Sequence, residues 1–153
     1  MNLDRSHAFR FLAAALLVAL ALDARPDAAF RTTRVRVANH PLTVEVAANE
    51  PQRMQGLMFR KKLGRDDGML FIFEQPAYHS MWMKNTLIPL SVAFLDADGR
   101  ILNILDMEPE TLDTHTAAGP ATYAIETNKG WFAGHRVKAG DKVSGLPPAS
   151  EGR

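Results

Sequence analysis

Leu90-Ser91-Val92-Ala93-Phe94-Leu95, the turn Asp96-Ala97-Asp98-Gly99 and Ile101-Leu102-Asn103-Ile104-Leu105 form the stretch from which the fold is read. Two apolar runs of strand length flank residues that favour a tight turn, so the segment is expected to be a β-hairpin. Upstream, Asp66-Asp67-Gly68 marks another turn. Met69 to Phe73 is apolar on both faces, which predicts a central strand covered on each side. Nearer the N-terminus, Thr33 to Val37 and Leu42 to Val46 alternate apolar and polar residues about Asn39-His40-Pro41. That is the pattern of a hairpin with one wet face.

Between these units the period changes. Asn49 suits a helix N-cap, Glu50 and Pro51 suit a first turn, and Met54, Leu57 and Met58 fall at helical spacing. Arg53 and Arg60 lie about two helical turns apart, so on one helix they would project from the same side. Tyr78 to Thr86 reads as a strand with Trp82 and Lys84 on one face and Met81, Met83 and Asn85 on the other. Glu108 to Ala118 is polar and long for a bare connection, which suggests a lid or rim. Tyr123 to Thr127 resumes a strand, Trp131 and Phe132 suit a short helical turn, and His135 to Val143 suits a last ribbon. The expected fold is mainly β with a minor α component: a small closed or half-closed antiparallel β-barrel with one capping helix.

Residues 1–24 read as an export address. Arg5 and Arg10 precede the apolar run Phe11 to Leu22, and Ala19-Leu20-Ala21 has the small residues a signal peptidase accepts, with Ala24 and Ala29 as further possible ends. The run is shorter than the roughly 18 to 20 residues a membrane span needs, so cleavage is expected, with no transmembrane span left. A single domain over residues 30–145 follows, with residues 146–153 as a loose tail. The expected location is periplasmic or secreted.

Composition excludes several classes. With 18 basic and 17 acidic residues the chain lacks the basic footprint of a nucleic-acid binder. It has no cysteine, which removes disulfides, thiolate metal sites and cysteine nucleophiles together. No histidine pair has metal-ligand spacing, and no phosphate loop, dinucleotide fingerprint or nucleophile elbow occurs. Neither a metal nor a cofactor is expected.

Four motifs carry a family resemblance: Gln52 to Arg60, Gly68 to Phe73, Trp82-Met83-Lys84-Asn85-Thr86-Leu87-Ile88-Pro89-Leu90, and Glu126 with Gly130-Trp131. In this order they resemble the family called domain of unknown function 192, over about Arg34 to Val143. The resemblance implies a small exported or membrane-associated β-rich domain with no agreed activity, and it supplies no catalytic residues. Where many members have an aspartate after Pro-Leu, this chain has Ser91.

Lys84 and Asn85 stand between the two most apolar runs of the domain, where unpaired polar groups are costly. Either Lys84 is a charge held at a site, with Glu126 as partner from an apolar strand, or it ends its strand and snorkels to water beside Trp82. Asn85 either pins a loop or meets a ligand. Trp82 and Trp131 are either packing residues or a stacking platform, and the methionines either fill the core or suggest copper(I), core filling being the simpler. Arg60, alone or with Arg53, could clamp an anion. The candidate ligand-binding set is Lys84, Asn85, Glu126, Arg60, Trp82 and Trp131. Three functions fit it: a small binding module for a polar or anionic ligand or an envelope component, a hydrolase or transferase using Lys84 and Glu126 as acid and base, and a scaffold without a ligand.

Overall fold

The computed structural model describes residues 30–152. The segment expected to be a signal peptide, residues 1–24, lies outside the described residues. Strands β1 (Arg31–Val37) and β2 (His40–Ala47) form the expected hairpin. Its turn is tighter than expected: Val37 pairs with His40, so His40 and Pro41 already belong to β2. Helix α1 (Glu50–Gln55) follows, then β3 (Asp67–Ala77), β4 (Ser80–Met81), β5 (Leu90–Leu95) and β6 (Ile101–Met107). The chain continues through β7 (His115–Thr116), β8 (Ala121–Asn128), α2 (Trp131–Gly134), β9 (Val143–Ser144) and a 3-10 turn at Ala149–Gly152.

Seven strands make one sheet in the order β6-β5-β8-β3-β2-β1-β9, and β4 and β7 form a separate ribbon. The sheet curls into a half-barrel with only two short α-helices among the described residues, so the mainly β class is as expected. One pairing departs from an all-antiparallel barrel: β2 and β3 run parallel. The long connection through α1 makes this possible, since parallel neighbours need a crossover where antiparallel ones need only a turn.

Alternation along the strands divides the buried side chains into two layers. Leu42, Val44, Leu70, Ile72, Ile125 and Phe132 belong to the first, and Met69, Phe71, Met83, Val92, Phe94 and Ala124 to the second. Strand β5 is buried along its whole length, and β3 from Gly68 to Phe73, which is why both read as continuous apolar runs. Residues 146–152 are not the loose tail expected. Tyr123 donates its hydroxyl hydrogen to the Pro147 carbonyl, and Gly152 is buried against β3, where a Cβ would come within 2.7 Å of the Phe73 carbonyl oxygen.

The expected strand over Tyr78–Thr86 is confined to Ser80–Met81. Beyond it the chain turns, closed by a hydrogen bond from the Thr86 N–H to the Met83 carbonyl, and Asn85 takes a left-handed φ of 56°. Asparagine tolerates that conformation better than most residues. The segment expected to be a lid, Glu108 to Ala118, is held in place. The Met83 N–H reaches the Thr111 carbonyl, the Glu110 N–H reaches the Thr86 carbonyl, and β7 pairs with β4.

Candidate functional site

Glu126 lies on β8 level with Met69 of β3 and Val92 of β5. Cross-strand partners share a face, so its side chain enters the second apolar layer. It is 4% exposed, and no hydrogen-bond donor or cation among the described residues reaches its carboxyl group. Burial alone pushes that carboxyl up to about 8, so it is protonated at neutral pH.

Glu126 faces a cleft of ≈ 500 Å³ between α1, the far half of β3 and the chain from His79 to Trp82. Leu57, Phe71 and Phe73 supply buried apolar wall, while Met54, Met58 and Trp82 line its more open parts. Of the methionines weighed from sequence, Met69 and Met83 are fully buried core, and Met54, Met58 and Met81 line this cleft. The other ionisable groups on the cleft are Arg53, Glu74 and His79. The Arg53 guanidinium is engaged: Nη1 donates to the carbonyls of Ala48 (2.8 Å) and Ile72 (2.9 Å), and Nη2 to Glu74 (2.8 Å). His79 stacks on Phe73 with ring centroids 3.7 Å apart, its Nε2 lying 2.8 Å from the Gln75 carbonyl oxygen.

The cleft exists because α1 is fixed at its start. Asn49 accepts from the Gln52 N–H while the Gln52 side chain accepts from the Asn49 N–H, a reciprocal capping box. Pro51 in the first turn assists. The helix ends at Gln55, and Gly56 adopts a φ of 48°. This early stop separates the two arginines expected on one helix side. Arg53 turns toward β3, whereas Arg60 lies beyond the helix and pairs with Glu45 beside a different depression, next to Lys62 and Asp67.

The expected site set is therefore split. Glu126 and Trp82 share the cleft; Lys84, Asn85, Arg60 and Trp131 do not line it. Lys84 is exposed, and its ammonium stands 5.3 Å from the centre of the Trp82 ring. The Lys84–Glu126 ion pair is not formed, because the turn at Met83–Thr86 carries Lys84 outward while Met83 takes the buried position. Asn85 pins a loop instead: its carbonyl accepts from the Phe59 N–H at 2.8 Å. Trp131 is buried on the other layer, donates its indole N–H to Asp66 at 3.0 Å, and packs against His135 and His40. Ser91 is buried; it donates to Asp106 and accepts from the Gly130 N–H, a structural bridge.

Leu57, Phe71, Phe73 and His79 were not anticipated as site residues. Phe71 and Phe73 read as core strand, and their convergence with Leu57 depends on the crossover that returns α1 to β3. Periodicity within a segment carries no signal of such packing.

The molecule thus belongs to the mainly β half-barrels, with a cleft on one layer of the sheet. The family model DUF192, described as Uncharacterized ACR, matches residues 32–145, and the chain belongs to that family. A crystal structure of a candidate transcription regulator from Sinorhizobium meliloti 1021 is similar, with 36% identity and a TM-score of 0.72 over 76% of this chain and 95% of that one. A protein of unknown function from Novosphingobium aromaticivorans DSM 12444 is 34% identical, with a TM-score of 0.73 over 78% of this chain and 89% of that one. No curated protein matches the chain.

Proposed function

We propose that this chain is a non-catalytic binding module of the cell envelope, which takes a small molecule with an apolar body and one polar group into the cleft above Glu126. The observation that carries this reading is a carboxyl group, almost wholly buried and without a partner among the described residues, that opens onto a cleft of ≈ 500 Å³. As a purely structural element it would be a cost without a return, since burying a polar group unpaired is unfavourable. As the anchor of a largely apolar pocket it fixes the orientation of a ligand. The scaffold alternative leaves this group unexplained. The acid–base alternative requires a second group beside Glu126, and Lys84 is turned away.

The ligand expected from sequence was polar or anionic. The cleft supports the polar part of that expectation: Glu126 and Glu74 line it, and its single arginine is already bound to backbone carbonyls and to Glu74. A nucleic-acid role, raised by the description of the Sinorhizobium protein, finds little support in a chain with 18 basic and 17 acidic residues. Placement in the envelope rests on the export features of residues 1–24 and is tested by fractionation and N-terminal sequencing of the mature protein.

The binding reading is tested by thermal-shift screening of neutral, cationic and anionic fragments against the parent and Ala77→Trp, which adds bulk at an exposed position of the cleft wall. Fragments that raise the Tm of the parent and not of Ala77→Trp support it. Equal shifts in both proteins, or none in either, overturn it.

A further inference from the structure

We propose that the ligand class is an organic cation with an apolar body, whose ammonium group seats against the Glu126 carboxylate while its hydrocarbon part lies among Leu57, Phe71, Phe73 and Met58. This rests on the binding reading above and goes further by naming the charge of the ligand.

The first argument is electrostatic. Among the described residues every charged or titratable group on the cleft but one is accounted for: Arg53 is saturated, Glu74 is its partner, His79 is stacked on Phe73 and held near the Gln75 carbonyl, and Glu126 is unanswered. β3 and β5 flank Glu126 with Met69 and Val92, so they bring no charge to it. An anion entering here would meet a carboxyl group and no free cation. A cation supplies what the buried group lacks, because a carboxylate away from water is tolerable when directly paired.

The second argument concerns the wall. Phe71, Phe73 and Trp82 present aromatic rings and Met54, Met58 and Met81 present thioethers on the same cleft. Aromatic faces with a carboxylate make a favourable lining for an alkyl- or arylalkylammonium ion. A metal ion is a poorer fit. Among the described residues no group of three His, Asp or Glu is placed to hold one.

Binding has a proton balance that separates a cation from a neutral ligand. Below about pH 8 the free protein holds a proton on Glu126, so a cation that pairs with the carboxylate releases it to solvent. Affinity for the cation therefore rises with pH until the free carboxyl group is itself ionised. A neutral hydrogen-bond acceptor would instead use the proton, and its affinity would fall over the same range.

The experiment is isothermal titration of the parent with 2-phenylethylamine, 2-phenylethanol and phenylacetate, three charges on closely similar skeletons, at about pH 6 and about pH 8. Buffers of different ionisation enthalpy count the proton. The expected result is a preference for the amine over the alcohol of about tenfold or more at the higher pH. Release of close to one proton accompanies amine binding at the lower pH, and about half a proton at the higher, where half of the free carboxyl groups are already ionised. Glu126→Gln keeps binding of the alcohol and loses the preference. Binding of alcohol and amine with equal affinity and no proton release overturns the cation proposal and leaves the binding module standing. Tightest binding of phenylacetate overturns it in favour of an anion. The proton count is made on the parent, so the result does not depend on the Glu126 variant folding.

Discussion

The Lys84 ammonium rests over the face of Trp82, 5.3 Å from the ring centre, rather than beside Glu126. Both side chains are solvent-exposed, so the contact is a surface cation–π pair. Lys84→Met is therefore expected to cost less than about 1 kcal/mol in urea denaturation. A loss of about 3 to 5 kcal/mol, the cost of orphaning a buried ion, would mean that Lys84 neutralises a buried carboxylate in solution.

Glu126 gives stability a definite pH slope. Well below its ordinary value of 4.5 the carboxyl group is protonated in both the folded and unfolded chain. Between there and about 8 the unfolded chain gives up the proton and the folded chain keeps it, so stability falls as pH rises, by on the order of 5 kcal/mol in all. Glu126→Gln removes this contribution. The variant should exceed the parent in stability near pH 8, by a margin that shrinks as pH falls toward 4.5. Parallel profiles across that range, measured by chemical denaturation, would show that folding leaves the affinity of the carboxyl group for its proton unchanged.

Gly68 permits β3 to lie close to β8 beside the site. A Cβ at this position would come within 2.5 Å of the Glu126 carbonyl oxygen, and β3 must shift to relieve the clash. Gly68→Ala is expected to destabilise by about 1 to 3 kcal/mol and to weaken ligand binding as well. Full parental stability would show that the two strands separate without cost.

The cleft wall depends on the start of α1. Asn49→Ala removes one half of the capping box and should cost about 1 kcal/mol. Arg53→Lys should cost at least as much, because an ammonium cannot reproduce the planar fork that spans two carbonyls and Glu74. Both are measured by thermal or urea unfolding, and a stability equal to the parent's in both would mean that the helix is held by other contacts.

Much of the fold was legible in the sequence because it rests on local patterns. The Asp96–Gly99 turn, the apolar run of Met69–Phe73 and the Asn49 cap are each decided by residues adjacent in the chain. Glu126 stood out for a related reason: a carboxylate inside an apolar strand is conspicuous. The run Met81–Asn85 misled because alternation of apolar and polar residues also arises when a turn buries one residue, here Met83, and exposes its neighbours Trp82 and Lys84. The parallel pairing of β2 with β3, and with it the meeting of Leu57, Phe71 and Phe73 around one cleft, comes from packing between distant segments.

Helix α1 has no buried residue of its own. Its attachments are polar: a reciprocal cap at one end and an arginine that spans to β3. A segment secured in this way detaches by breaking a handful of directional links, while the greasy layers on both sides of the sheet remain intact. On the proposed binding role, breathing at the entrance and integrity of the interior are thereby governed by separate sets of side chains, so that guest exchange could be retuned without redesigning the body of the protein.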